Sequence, residues 1–444
     1  MNIYERLLEE FDRLEIIDTH EHLSPFEPSW DINDVPKRDK ILFGDENGQQ
    51  IFGKDTNFIN NIVLGGYLND TVYASGIPSD VHNCDDLEDK WRAFLPVWNQ
   101  VKYSGYGQVV SIVARDLYGI DEITPENIAE LNDRYIASLK KGYYRKYLKE
   151  LAKIKVSLID SDLMYDPEYF RTLFRLDCFI MPVFQHHFAT IERFTGMKIR
   201  HFTDWLDACE ATLDKALDMG VVGLKCGLAY KRTLYFPRVN YHEAENSFNE
   251  MYASRYIPCW EPQRIGTNRA FENFMMHYVC KIAEHRNLVM QVHTGLMTNT
   301  GNHISNGNPE NMSNLFMEYP DLRFDLFHIG YPYQQALGAL ALMHRNVYID
   351  MCWAHMISPV ASIKALSEWL EIVPHNKILA FGGDLGGGGV QSVYAHAKLA
   401  RRNVAKALAR KVEEGLFGLD EAIRIAKQLF YDNPAKLFGL DDLK

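Results

Sequence analysis

The sequence predicts an α/β fold, a (β/α)₈ barrel of eight parallel strands that alternate with helices. The first observation is a series of eight short apolar runs, the form that fully buried parallel strands take. The second is that amphipathic helical patterns follow several of these runs, as at 202–220 and 268–287. The eight runs lie at 15–22, 154–161, 177–184, 221–228, 288–295, 323–330, 347–353 and 377–384.

A doubly wound open sheet is the alternative for such an alternation, but no G-x-G-x-x-G follows a strand to favour it. The TIM barrel is therefore the predicted fold, and residues 24–153 form a largely helical insertion after its first strand. No internal repeat, low-complexity tract or clear linker divides the chain. We expect a single domain over residues 1–444, in which residues 24–153 are not an independent domain.

The composition excludes several classes of protein. With 47% apolar and 24% charged residues, the 444-residue chain has the composition of a globular protein and not that of a disordered or fibrous one. A net charge of −12 without a basic block argues against a nucleic-acid partner, and we interpret Arg401 and Arg402 as a solvated helix face. No apolar run has the length of a membrane span.

The cysteines and the N-terminal segment bear on the compartment. Seven cysteines, an odd number without a C-x-x-C pair, favour neither a disulfide framework nor a structural zinc knuckle. Residues 1–16 are charged and amphipathic and lack the apolar core of a signal peptide. We therefore expect a cytoplasmic protein that acts on a small molecule without a membrane partner, and the sequence leaves a homo-oligomer open.

The motif D-T-H-E-H ends the first apolar run, where a barrel presents catalytic groups. An H-x-H pair by itself arises easily by chance among 16 histidines, so its position carries the argument. Alternate residues of a strand share a face, so His20 and His22 would point together into the barrel mouth. Two imidazoles in that arrangement could bind one cation. Glu21 would point outward and have a structural role.

Three further polar residues end later runs in the same way. His293 ends the fifth run, His328 the sixth and Asp384 the eighth. Taken singly, each has a structural explanation, such as a hydrogen-bonded histidine or, for Asp384, a helix N-cap. A closed barrel brings all these strand ends to one mouth, and the joint pattern predicts a metal site. The predicted ligands are His20, His22, His293 and Asp384, and the predicted catalytic residues are Asp384 and His328.

Lys225 lies in the fourth run and has three explanations. It could be carboxylated and bridge two metal ions, bind a substrate carboxylate, or extend outward to water. We expect one metal ion and therefore no bridging role. The predicted substrate-binding residues are Lys225, Arg232, His328 and Trp353. The glycine run 386–389 also follows the eighth run, where barrels often bind anions.

At these positions the chain resembles the amidohydrolase superfamily. Its segments VVGLKCGLAYKRTL, QVHTGL, LFHIGYPYQQALGALALMHRNVYIDMCW and KILAFGGD are similar to the amidohydrolase-related branch, which includes a domain sometimes fused to glutamine-synthetase-like modules. The similarity covers residues 15–23 and the chain from about residue 154. That branch usually has G-S-D-A on the eighth strand, whereas this chain has G-G-D-L.

The resemblance implies a metal-dependent hydrolase that activates water to cleave an amide, lactone or other ester. Zn²⁺ is the expected cofactor, with another divalent ion such as Mn²⁺ as the alternative. The expected substrate is small and anionic. Two other functions stay open: a metal-dependent decarboxylase or uronate-type isomerase on the same barrel, and a non-catalytic regulatory module with a vestigial metal site.

Overall fold

Eight parallel strands form one sheet in chain order in the computed structural model, which describes residues 2–35, 52–160, 165–182, 185–254, 269–298 and 301–440. Each strand pairs with the next along the chain, and helices cover the outside. The predicted (β/α)₈ TIM barrel is confirmed. The strands are β1 Ile16–Glu21, β2 Ile154–Ile159, β3 Phe170–Arg175, β4 Gly223–Cys226, β5 Val289–Val292, β6 Arg323–Leu326, β7 Val347–Asp350 and β8 Ile378–Leu379.

Hydrogen bonds join β1 to the segment that follows β8 and bring the two ends of the sheet together. The backbone N–H of Thr19 donates to the carbonyl of Phe381 over 3.1 Å, and its hydroxyl donates to the same oxygen over 3.0 Å. Further along, the N–H of Asp384 donates to the carbonyl of His20 over 2.7 Å. The first and last predicted metal ligands along the chain are therefore neighbours in space.

The predicted position of the third strand is wrong. Residues 177–184 were expected there, but β3 is Phe170–Arg175, and Asp177–Ile180 is a helical turn; residues 183 and 184 lie outside the described part of the chain. The strand sequence FRTLFR carries two arginines, which hide its apolar pattern. Arg171 extends away from the core and donates to the carbonyls of Pro167 and Phe170, so its charge costs the strand little.

The helices surround the barrel and fill the long connection after β1. The first five are α1 Ile3–Phe11, α2 Leu68–Ser75, α3 Leu87–Val101, α4 Gly105–Ile112 and α5 Ile128–Ser138. The others are α6 Asp177–Ile180, α7 Gln185–Thr195, α8 Phe202–Asp218, α9 Tyr241–Ser254, α10 Arg269–His285, α11 Ser313–Glu318, α12 Gln334–Met343, α13 Ala354–Ile357, α14 Pro359–Ile372, α15 Gly389–Glu413, α16 Leu419–Lys427 and α17 Asn433–Leu437. Across the described part of the chain, no helix combines the length and apolar character needed to cross a bilayer.

The insertion after β1 packs on the barrel through α4. This helix contacts α13 and α15, and its buried residues belong to the same apolar core as those of the barrel helices. The core continues through the buried tryptophan Trp91 of α3. This packing holds the insertion over the carboxyl ends of the strands. That the insertion is not an independent domain stays a prediction.

Arg401 of α15 connects three segments of the fold. We interpreted Arg401 and Arg402 as a solvated helix face, and this interpretation is wrong for Arg401. The Arg401 side chain is buried, and its guanidinium donates to the carbonyls of Phe11, Leu14 and Ala152. These carbonyls lie just before β1 and β2. A single cation thus satisfies three backbone acceptors at the amino end of the barrel.

We expect Arg401→Met to lower the free energy of unfolding by roughly 2–4 kcal/mol, because methionine keeps the apolar stem but leaves buried carbonyls without donors. Urea unfolding followed by circular dichroism measures the change. Arg402→Met, on the less buried neighbouring position, is the matched control and should stay within about 0.5 kcal/mol of wild type. Equal effects of the two substitutions would contradict the bridging role.

Candidate metal site at the barrel mouth

The carboxyl ends of β6, β7 and β8 contain non-glycine residues with left-handed backbone. His328, Ile329, Trp353 and Asp384 have φ values of 63°, 51°, 58° and 49°. Such backbone costs of order 1–3 kcal/mol for each residue and is retained where the surrounding structure imposes it, which occurs often at functional sites. Three of the predicted site residues, His328, Trp353 and Asp384, are therefore held in strained positions, one after each of β6, β7 and β8.

The two ring nitrogens of His20 differ, because Nδ1 has a hydrogen-bond partner and Nε2 has none among the described residues. Its Nδ1 lies 3.1 Å from Oε1 of Gln291, whose amide nitrogen donates to the carbonyl of Thr19. Oε1 is thus an acceptor, and His20 donates to it from Nδ1. The Nε2 atom of His20 is buried and has no hydrogen-bond partner among the described residues. It lies 3.9 Å from Oδ1 of Asp384 and presents a lone pair to that side.

His22 lies between two carboxylates. Its Nδ1 is 3.0 Å from Oδ1 of Asp160, and its Nε2 is 3.0 Å from Oδ1 of Asp384. Burial lowers the pKa of His22, but the charges and hydrogen bonds of the two carboxylates outweigh it and raise that pKa to about 10. The site thus contains more negative charge than neutral imidazoles can balance, which suits a cation.

Asp160, at the end of β2, is a site residue that the sequence analysis missed. It holds Nδ1 of His22, and its Oδ2 accepts a 2.8 Å hydrogen bond from the guanidinium of Arg175 at the end of β3. The signal was present, because Asp160 ends the second apolar run as abruptly as Asp384 ends the eighth. Arg175 was missed because the third strand was placed too late in the chain.

His293 and His328 face one another with lone pairs. The Nε2 atom of His293 contacts the carbonyl of Leu296 at 2.8 Å, and the Nδ1 atom of His328 contacts the carbonyl of Cys352 at 2.9 Å. Carbonyl oxygens only accept, so both nitrogens carry the proton. Burial lowers the pKa of His328 to about 4 and that of His293 well below its ordinary value, so both rings are neutral. The facing atoms, Nδ1 of His293 and Nε2 of His328, are 3.0 Å apart without a proton between them.

Asp384 lies between His328 and the pair formed by His20 and His22. Its Oδ1 faces His22, and its Oδ2 lies 3.5 Å from Nε2 of His328. Burial would raise the pKa of Asp384, but the hydrogen bond from His22 and the nearby imidazoles hold it well below the ordinary value, so the group is ionised. Within the described residues, potential ligand atoms converge to within 4.8 Å in two overlapping groups: His20, His22 and Asp384, and His328, Cys352 and Asp384.

The structure thus brings three predicted residues, His20, His22 and His328, around Asp384, with His293 one step further out. His20, His22 and Asp384 form one group, whereas His293 contacts His328 and belongs to neither group of converging ligand atoms. The roles assigned to these residues stay predictions.

A cavity of about 330 Å³, the substrate cavity, opens above these residues. Lys225 lines it and is buried, which lowers the pKa of its ammonium group. The ammonium nitrogen lies 3.4 Å from the centroid of the Phe327 ring and forms no ion pair with a described residue. Its charge is therefore free to meet an anion in the cavity. The lining residues are His22, Tyr67, Arg175, Asp177, Lys225, Gly227, Tyr230, Lys231, His293, Thr298 and Asp384.

Arg232 and Trp353, also predicted to bind substrate, lie outside this lining. The guanidinium of Arg232 is buried and donates to Glu272 and to Asn273, at 2.6 and 2.7 Å, and to nearby backbone carbonyls. Its donors are occupied by the protein. Trp353 is buried beside His328, with ring centroids 5.2 Å apart, and supports that imidazole from behind. His328 is likewise fully buried and does not line the cavity.

Glu21 is buried between β1 and the end of β8, so the expectation that it points outward is wrong. Its Oε2 accepts hydrogen bonds from the N–H groups of Leu385, over 3.0 Å, and His22, over 3.3 Å. The carboxyl group fills the space beside Gly383, where a Cβ would overlap its Oε1 atom. Gly383 therefore replaces the more usual serine of the G-S-D-A pattern because Glu21 occupies that volume.

A second cavity of about 260 Å³, the side chamber, lies on the other face of the turn after β8. Consecutive residues divide the two spaces, because Asp384 lines the substrate cavity and Leu385 the side chamber, while His22 lines both. The glycine run borders the chamber and packs on the insertion, where a Cβ at Gly387 would overlap the carbonyl of Gly65. The anion site expected at this run stays a prediction.

Comparison with known proteins decides the family. The family model described as Amidohydrolase matches residues 201–440, which is more than half of the chain. The chain belongs to the amidohydrolase family. A curated relative, the protein fluG of Emericella nidulans, is 26% identical over 235 residues. That match covers 52% of this chain and 27% of the length of fluG.

Solved structures share the fold of this amidohydrolase over nearly its whole length. A uronate isomerase from Thermotoga maritima has 16% identity and a TM-score of 0.75, with 99% of this chain and 98% of that chain covered. A glucuronate isomerase from Caulobacter crescentus has 19% identity and a TM-score of 0.73, with 99% and 94% covered. A putative metal-dependent hydrolase from Lactobacillus casei has 19% identity, a TM-score of 0.62 and 98% of both chains covered.

Members of the amidohydrolase superfamily are metal-dependent, and the residues at this barrel mouth fit a divalent cation. The unpartnered Nε2 atom of His20 and the ionised carboxylate of Asp384 converge from neighbouring strand ends. Imidazole nitrogens with a carboxylate oxygen are the donor set that zinc and similar ions take. The lone pairs of His293 Nδ1 and His328 Nε2 face one another, and a bound cation would favour this close approach.

We expect Gly383→Ala to lower the melting temperature and to displace Asp384, because the added Cβ overlaps the buried carboxyl group of Glu21. Adding Glu21→Ala should recover part of the lost stability, since it removes the overlapping atoms. Gly53→Ala is the control, because a Cβ there meets nothing within 4 Å. Differential scanning calorimetry of the two single site variants, Gly383→Ala and Glu21→Ala, of their double variant and of the control tests this. Strictly additive effects of the two site substitutions would contradict the overlap.

Proposed function

We propose that this protein is a metal-dependent hydrolase that cleaves an amide, lactone or other ester bond in a small molecule bearing a carboxylate. The observation that carries the proposal is the position of Asp384. Its Oδ1 faces His20 and His22, and its Oδ2 faces His328. The cavity above it is lined by Lys225, whose ammonium group forms no ion pair with a described residue. One carboxylate can therefore bind a metal ion with one oxygen and exchange a proton with the other.

His20 and His22 would hold the metal through Nε2, His293 through Nδ1, and Asp384 through Oδ1. The other ring nitrogen of His20 and of His293 is hydrogen-bonded to the protein, which leaves a lone pair at the named atom. Nε2 of His22 faces Asp384 with a proton and would lose that proton when it binds the metal. Zn²⁺ is the ion we propose, with Mn²⁺ as the alternative for this nitrogen and oxygen set. When bound, such an ion lowers the pKa of a water molecule towards about 7 and polarises a substrate carbonyl.

Asp384 would take the proton of the attacking water on Oδ2 and return it to the leaving nitrogen or oxygen. The hydroxyl group joins the acyl carbon as the acyl bond to the leaving atom breaks, so atoms and protons balance. His328 is placed to assist through Asp384, because its Nε2 lone pair lies 3.5 Å from that Oδ2 while its Nδ1–H is fixed by the carbonyl of Cys352. Its burial supports this indirect role and not a contact with substrate.

Lys225 would bind the substrate carboxylate. It is a buried ammonium without a carboxylate partner among the described residues, and burying a charge is costly unless it is paired. Arg175 lines the same cavity, but its charge already meets Asp160 and Asp177 at 2.8 Å each. Lys225 is therefore the stronger anchor for an anion.

Isomerisation of a uronate is the second candidate function. It is favoured by the full-length structural likeness to a uronate isomerase and a glucuronate isomerase, each at a TM-score above 0.7. A sugar acid would also match its carboxylate to Lys225. The two candidates share the metal and the anion site, and they differ in whether water enters the product.

Proton NMR of zinc-loaded protein with N-acylglycines, lactones and hexuronates distinguishes these reactions. We expect hydrolysis of at least one amide, lactone or other ester bearing a carboxylate, with no aldose–ketose interconversion. Asp384→Asn should lower kcat by roughly 100- to 10,000-fold, because the amide keeps the shape but cannot accept the proton. Asp321→Asn, on an exposed surface pair, is the control. Interconversion of a uronate without hydrolysis of any probe would replace the hydrolase proposal with the isomerase.

A further inference from the structure

The lining of the substrate cavity contains two lysines that differ in exposure. Lys225 is only 3% exposed, whereas Lys231 is an exposed residue. Neither ammonium group forms an ion pair with a described residue. The guanidinium of Arg175, in the same lining, already meets Asp160 and Asp177 at 2.8 Å each. Of the lysines and the arginine in the lining, Lys225 and Lys231 are therefore the ones whose charge the protein leaves unmatched.

The other charges beside the proposed metal site balance one another once a divalent ion is bound. Asp160, Asp177 and Asp384 supply three negative charges, and Arg175 offsets one of them. His22, which faces two of these carboxylates, would give up its extra proton to bind the ion. The two charges of the ion then offset the remaining two carboxylates. The uncompensated charge of the lining is that of its two lysines, and a ligand with two negative charges would match it.

Both lysines belong to the same wall of the cavity. Lys225 is on β4, and Lys231 directly follows the short helical turn after that strand. Tyr230 holds this turn in place, because its ring packs on His293 with centroids 4.7 Å apart and its hydroxyl accepts a hydrogen bond from the N–H of Thr298 over 3.3 Å. The backbone that carries the two cations is therefore fixed, and two anionic groups on one part of a ligand could meet both of them.

We propose that the substrate is an acyl derivative of an amino or hydroxy dicarboxylic acid, with one carboxylate bound by Lys225 and the other by Lys231. The inference rests on the proposed hydrolase function. In a barrel of eight strands in chain order, β4 lies opposite β8, so the two lysines and Asp384 are on opposite sides of the mouth. Both carboxylates then belong to the same half of the substrate, and the acyl group lies towards Asp384. N-Acylaspartate and N-acylglutamate are the simplest members of this class.

Matched acids and amides test the outer of the two anchors. The pairs are N-acetylaspartate with N-acetylasparagine and N-acetylglutamate with N-acetylglutamine. The α-carboxylate, common to all four, would meet the deeper Lys225, and the side-chain carboxylate of the acids would meet Lys231. Calorimetry on zinc-loaded protein gives Kd, or initial rates give KM where turnover occurs. We expect at least one acid to bind roughly two- to fivefold more tightly than its amide, as for an exposed ion pair, and less so at higher ionic strength. Lys231→Met should remove that preference and leave zinc content unchanged.

Two further variants keep the outcome clear. Lys364→Met makes the same change at an exposed position of α14, outside the cavity, and should keep the preference. Lys225→Met should weaken binding of the acid and the amide alike, because both carry the carboxylate that this lysine meets. If neither acid binds more tightly than its amide, or if Lys231→Met keeps the preference, the dicarboxylate proposal is wrong. A preference that depends on Lys231, without hydrolysis of any of the four ligands, would instead reject the proposed function and retain the pair of carboxylate anchors.

Discussion

A hydrogen bond holds each imidazole at the barrel mouth on the side of the ring that faces away from Asp384. For His20, His22, His293 and His328 the partners are, in turn, Gln291, Asp160, the carbonyl of Leu296 and the carbonyl of Cys352. Each of these oxygens accepts, so the outer nitrogen carries a proton. The inner nitrogen presents a lone pair in His20, His293 and His328, whereas in His22 it holds a second proton that faces Asp384. The proposed metal site, the proton exchange by Asp384 and the position of the substrate all depend on these orientations.

The barrel makes these orientations possible because its strands end at one rim in chain order. Gln291 lies on β5, faces inward and connects to Thr19 of β1 across the barrel, which fixes the ring of His20 from below. The N–H of Asp384 donates to the carbonyl of His20, which places the carboxylate of Asp384 beside the first histidine. Glu21 then holds the turn after Asp384 through Leu385. Gln291, Asp384 and Glu21 are tolerated at this depth because each is hydrogen-bonded to the protein.

The sequence predicted the barrel and the strand ends well, because continuous apolar runs and abrupt polar endings are local signals. It failed where the signal was not local. The arginines of β3 hid that strand, and Arg175 was lost with it. Asp160 is a different case, because it was missed although it ends the second apolar run. Alternation along a strand predicted an outward Glu21, but the end of β8 covers that face. The sequence could not show that Arg232 is a structural residue and not a substrate-binding one, because its partner Glu272 lies forty positions away along the chain.

The most direct test is anomalous diffraction from crystals of the zinc-loaded protein, collected at the zinc absorption edge. We predict one peak per chain at about 2.0–2.2 Å from Nε2 of His20, Nε2 of His22 and a carboxylate oxygen of Asp384. His293 should turn its Nδ1 towards the same ion. A peak between His328 and Cys352 that leaves His20 free, or crystals that contain no ordered zinc at this barrel mouth, would contradict the account.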